Sequence, residues 1–184
     1  MDLCSRLIVC AGVLTAGLAH ADPPRGAPLQ QACNPAEMQK ALPQVGDRCV
    51  RAAETFPGLL MVGSFAYDRG CMLRGYVWDC AFHDGMPPSR VVLESVEWHK
   101  TRGNAKKQLA LAYVHEVHLL FRGTVSDEPT PPRVTLTRNG GAIVTVWLQD
   151  PPGRRPGWRR RLLEVTLAKD GTVTETTVRT TSGR

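Results

Sequence analysis

The sequence predicts an α+β domain in which an N-terminal kinked helix packs on a mainly antiparallel β-sheet, held by two disulfides. Three observations lead there. An apolar stripe at helical spacing runs from Met38 to Phe56. After Gly58 the texture changes to short alternating segments rich in Val and aromatics, separated by turn residues. Once an export signal over 1–21 is set aside, an even set of cysteines remains: Cys33, Cys49, Cys71 and Cys80.

The signal is read from Arg6, the apolar run Leu7 to Leu18, and the small residues of Ala19-His20-Ala21 before the expected cleavage. That run is shorter than the ~20 residues that span a bilayer core, and Pro23-Pro24 ends it, so removal is expected rather than membrane anchoring. Loss of 21 of the 184 residues takes Cys4 and Cys10 away and leaves 163. Residues 22–32, rich in Pro and Gln, read as a flexible leader, and 33–184 as a single α+β domain. An oxidising compartment follows, periplasmic or secreted. The net charge of +6 favours anionic surfaces, but the chain has no aromatic stacking platform, so nucleic acid is not the expected partner.

Asn34-Pro35-Ala36-Glu37 has the pattern of a helix start, with Asn as cap and Pro in the first turn. Met38, Ala41, Leu42, Val45, Cys49, Ala52, Ala53 and Phe56 continue it. Pro43 and Gly46 interrupt the stripe, Asp47 can cap a second helical piece, and Pro57-Gly58 end it. Strands are expected at Leu59 to Tyr67, Cys71 to Phe82 and Arg90 to His99. Asn104 to Arg122 carries two patterns. Leu109, Leu111, Tyr113, Val117, Leu119 and Phe121 alternate as in a strand, while Leu109, Tyr113, Val117 and Leu120 form a helical face; the alternation is the fuller match and predicts a strand. Asn139-Gly140 and Asp170-Gly171 sit between alternating segments and predict two hairpins with positive φ in their turns. Trp78, Trp98 and Trp147 fall in expected strands and read as core.

Four cysteines allow three pairings. If Cys71 to Phe82 is one strand, nine steps separate Cys71 from Cys80 by ~30 Å, far beyond disulfide reach, so each must bond Cys33 or Cys49. A helix running back along the hairpin favours Cys33–Cys71 with Cys49–Cys80; a break at Gly75 restores the sequential pairing.

No residue cluster defines a reaction. His115-Glu116-Val117-His118 is the compact group able to hold a metal, through His115 and His118, provided the segment is helical; on a strand the imidazoles diverge. Ser64 lacks the second glycine of a nucleophile elbow. Glu97 and His99 read as the wet face of a strand. The stronger lead is the Pro/Gly-framed segment containing Arg154, Arg155, Trp158, Arg159, Arg160 and Arg161, whose guanidinium forks suit phosphate or carboxylate oxygens. The expected protein is a non-enzymatic, exported binding or accessory protein contacting an anionic envelope component or a protein face, without cofactor. Two alternatives stand beside it: an envelope hydrolase or metal-dependent enzyme using His115, Glu116 and His118, and a secreted inhibitor of another enzyme.

Overall fold

A computed structural model describes residues 40, 48–66, 70–126, 129–149 and 158–183. Two antiparallel sheets flank a helical segment, an α+β arrangement. The first sheet is a meander of β1 (Arg48–Ala52), β2 (Leu60–Ala66), β3 (Gly70–Trp78) and β4 (Ala81–Asp84). Helices α1 (Ser89–Ser95) and α2 (Gly103–Tyr113) follow, and α2 widens into a π-helical turn over Val114–His118. The second sheet holds β5 (Thr124–Ser126), β6 (Arg133–Leu136), β7 (Ala142–Gln149), β8 (Trp158–Leu167) and β9 (Val173–Gly183). β5 and β6 share one edge of β7, and the order continues β7-β8-β9.

The expected helix is replaced over 48–56 by β1 and a turn; residues 34–47 lie outside the described residues except Lys40, which is helical and exposed. β1 pairs with β2, Cys49 opposite Gly63, and β3 pairs with the other side of β2, Cys71 opposite Phe65. The bridge that forms is Cys49–Cys71, with Cα atoms 6.3 Å apart. This overturns both favoured pairs, Cys33–Cys71 and Cys49–Cys80, because a strand rather than a helix carries Cys49 past the hairpin. Residues two strands apart in a flat sheet are separated by roughly 9.5 Å. Closing that gap requires the sheet to curl over Gly63, where the register of β2 against β3 shifts. Only glycine fits beneath the bridge. A methyl at position 63 would collide with the Cys71 Sγ and lie 2.8 Å from the Met72 carbonyl oxygen and 3.1 Å from the Cys49 Sγ.

The expected continuous strand Cys71 to Phe82 is broken at Asp79 and Cys80, whose φ values of 53° and 59° make a two-residue hairpin turn of the kind usually built from Asn and Gly. Asn139-Gly140 and Asp170-Gly171 do form hairpins, but as three-residue loops: Gly140 and Gly171 alone take positive φ, and Thr137 and Ala168 close the loops on Gly141 and Thr172.

Arg90 to His99, expected as a strand, is α1 plus a turn. Adjacent Val92 and Leu93 are both buried, which one strand face cannot provide and a helix can. Glu97, at φ 52°, closes α1 by the paired bonds Glu97 N–H to Glu94 and Trp98 N–H to Leu93. That closure turns Trp98 back into the core, where its indole N–H donates to the Ala168 carbonyl at 2.8 Å. Asn104 to Arg122, also expected as a strand, is α2 and the π turn. Good helix formers fill it, and Lys106, Ala110 and Tyr113 share its buried face. Leu109 and Leu111 also pack against the core, so the helix is apolar over much of its circumference and imitates strand alternation.

The main core joins Ala53, Phe56, Leu59 and Met61 from the first sheet region, Trp98 and the α2 face, and Val144, Val146, Leu148, Leu163, Val165 and Leu167 from the second sheet. Phe56 meets Tyr113 edge-on, ring centroids 6.0 Å apart. A smaller cluster, Val62 and Val77 with Val50, Leu60 and Phe82, occupies the opposite face of the first sheet. In β9 the register shift against β8 leaves Val178 as an extra residue, 56% exposed, on a strand that forms the sheet edge.

Because the Cys49–Cys71 bridge needs the space over Gly63, Gly63→Ala is expected to expose reactive thiols at Cys49 and Cys71 and to lower unfolding free energy by about 2–4 kcal/mol. Thiol titration and urea denaturation of the oxidised protein measure both.

Candidate functional site

The Arg/Trp segment is only partly within view. Arg154 and Arg155 lie outside the described residues, whereas Trp158, Arg159, Arg160 and Arg161 open β8 as a regular strand. Alternation then divides the cations between the two faces of the second sheet. Arg161 stands opposite Leu148 on the core-facing side, and Arg160 opposite Gln149 on the other. Arg159 is exposed, and Arg160 and Arg161 are half-buried. Across the ladder, Thr180, Thr181 and Ser182 of β9 face these three arginines. The group is thus a rigid ribbon end feeding the 150–157 connection, with charge on both faces.

The helical placement of His115, Glu116 and His118 fulfils the condition under which the histidines could share a face, yet the structure sends Glu116 and His118 to different tasks. The π turn, closed by Leu119 N–H on the Val114 carbonyl at 2.9 Å, widens the helix and rotates its side chains away from α-helical spacing. The Glu116 carboxylate accepts from the Thr55 backbone N–H at 2.9 Å and from its hydroxyl at 2.7 Å, tying the turn after β1 to the helix. His118 Nε2 lies 2.9 Å from Glu175 Oε2. Among the described residues no three His, Cys, Asp or Glu side chains gather as a metal would require.

What the structure adds is a cluster of His118, Arg122 and Glu175. The Arg122 guanidinium grips both carboxylate oxygens of Glu175, at 2.5 Å and 3.0 Å, and the His118 ring lies nearly parallel to that of Tyr113, centroids 6.3 Å apart. Glu175 follows Val173 by two on β9 and pairs with buried Val165, so it occupies an inward position at the sheet edge. Between His118 and Arg122, Phe121 takes φ 66°, an unusual value for an aromatic residue, and ends the helical segment. The sequence held one clue to this: an acid at an inward-facing place in an otherwise Thr- and Val-rich strand. Its partners could not be read, because both depended on the segment being helical.

Electrostatics follow the geometry. Burial pulls the His118 imidazole below its ordinary range, with Arg122 acting the same way, against the upward pull of Glu175. Burial also works to raise the Glu175 carboxyl, but the hydrogen bonds and charge of Arg122 and His118 outweigh it and hold the group below the usual carboxylate value. Elsewhere, Lys106 is 2% exposed, donates to the Trp98 carbonyl at 3.0 Å and sits 4.1 Å from the centre of the Trp98 ring. Desolvation, with Arg102 and Lys169 nearby, lowers its pKa. Tyr113 is buried, which holds its phenol above the normal range.

No protein-family model, no curated protein and no solved structure matches the chain. No helix among the described residues is long and apolar enough to cross a membrane.

Both shifted groups make folding sensitive to acid in the same sense. A histidine and a carboxylate whose folded pKa values lie below the unfolded ones stabilise the fold above the unfolded values, and that contribution disappears as pH falls through the folded ones. Stability should therefore decline below about pH 6.5 as His118 protonates in the unfolded chain, and again below about pH 4.5 through Glu175. Glu175→Gln should remove about 1–2 kcal/mol at pH 7 and abolish the decline below about pH 4.5, while the decline below about pH 6.5 deepens because His118 loses the carboxylate that opposes its desolvation. Urea unfolding from pH 4 to 8 follows both effects.

Proposed function

We propose that the chain is an exported, disulfide-stapled binding or accessory protein of the cell envelope or secreted fraction, without catalytic activity, that contacts an anionic component through Arg154, Arg155, Trp158, Arg159, Arg160 and Arg161. One observation carries the proposal. Arg159 to Arg161 are held in a paired strand flanked by Thr and Ser, so the arginine-rich connection is presented from a rigid support rather than from a free tail. A backbone already fixed by pairing leaves only the side chains to be ordered when guanidinium groups meet phosphate or carboxylate oxygens. The compartment rests on the signal-like residues 1–21, and the Cys49–Cys71 bridge accords with an oxidising environment.

Replacing Arg154, Arg155 and Arg159 by Ser is expected to lower the salt concentration that elutes the mature protein from phosphocellulose, and to do so more than replacing exposed Arg51, Lys107 and Arg133, which removes the same charge elsewhere. Equal shifts for the two triple variants would remove the arginine segment from consideration. Stoichiometric zinc in protein purified without chelator would instead favour the metal-dependent reading through His115 and His118.

A further inference from the structure

We propose that the face of the first sheet opposite the main core is the seat of this chain's own segment 33–47, and that a second bridge, Cys33–Cys80, holds the segment there. This goes beyond the functional reading above and does not depend on it.

The face is defined by register. Val50 stands opposite Val62, Leu60 opposite Val77, and Val77 opposite Phe82, so these five side chains share one side of the meander. Val62 is 2% exposed and Val77 0% exposed, although Val50, Leu60 and Phe82 are the apolar neighbours grouped with them and all three are only half-buried. A single sheet layer does not dry its own outer face; another apolar surface has to lie on it.

Segment 33–47 has the chemistry and the length. Met38, Ala41, Leu42 and Val45 fall on one side of a helix, and Lys40, the described residue of this stretch, is helical and exposed, as the opposite side requires. The chain enters β1 at Arg48, which pairs with Ser64 at one end of the sheet. Cys80 occupies the β3–β4 turn beyond Trp78, at the other end, level with the chain just before Leu59. Six or seven strand steps separate those ends, roughly 20–23 Å, a span that the 15 residues from Cys33 to Asp47 can cover even where Pro43 and Gly46 break the helix. Cys49 and Cys71 are joined to each other, which makes Cys33 the partner in reach of Cys80 after signal removal.

Peptide mapping of the oxidised mature protein without reduction tests the bridge directly, and an intramolecular Cys33–Cys80 link alongside Cys49–Cys71 is expected. A free thiol at Cys33, or a link between two chains, overturns the proposal. Thermal unfolding tests the seat: Leu42→Ala should lower Tm by about 5 °C or more, as for a buried leucine in a chain of this size, while Lys40→Ala should change it by less than about 2 °C. Equal insensitivity of both variants also overturns it. Because mapping uses the unsubstituted protein, a Leu42 variant that fails to fold leaves the test intact.

Discussion

A chain that finishes one sheet and begins another has to fix the helices between them, and here the side chain of Trp98 carries that constraint. Its indole N–H bonds the Ala168 carbonyl beside the β8–β9 turn, its backbone carbonyl accepts from Lys106, and its ring lies beneath the Lys106 ammonium. One residue thereby joins the end of α1, the face of α2 and the far hairpin. A buried ammonium normally carries a heavy desolvation cost, and here the carbonyl and the aromatic face together offset part of it. Arg90, paired with Asp170 and bonded to Thr172, reinforces the same junction from the surface. Exposed pairs of this kind add little, so the tryptophan is the principal fastening.

The polar cluster of His118, Arg122 and Glu175 does for the opposite end of the helical layer what Trp98 does for its beginning. It connects the end of the π turn to the edge strand across 53 and 57 residues of sequence. The widened turn and the left-handed Phe121 are the local distortions that allow His118 and Arg122 to reach the same carboxylate.

The second sheet was legible because its strands alternate: Ala142, Val144, Val146 and Leu148 share the inward side of β7, even though Trp147 between them is also buried, and glycine ends each turn. Its two hairpins form where Asn139-Gly140 and Asp170-Gly171 place them, with positive φ at Gly140 and Gly171. The middle of the chain was not legible for a definite reason. A helix packed on several sides shows apolar residues at both odd and even positions, so α2 mimics a strand, and a short helix such as α1 offers too few turns to reveal its period. The left-handed Asp79 and Cys80 gave no signal at all, since nothing in an Asp-Cys pair announces a hairpin. For the site, the arginine segment was visible as composition but its division between two faces was not. The His118–Glu175 contact required helix and sheet to be correct together. The disulfide failed with the helix on which its geometry was argued.

β9 ends the second sheet with eleven residues, rich in threonine and free of proline, the composition that readily recruits a further strand from another molecule. Its extra residue, Val178, with Arg179 beside it, interrupts the even spacing of hydrogen-bonding groups that such recruitment needs. Such an irregularity disfavours edge-to-edge stacking of one copy on another, at the expense of leaving one valine in water.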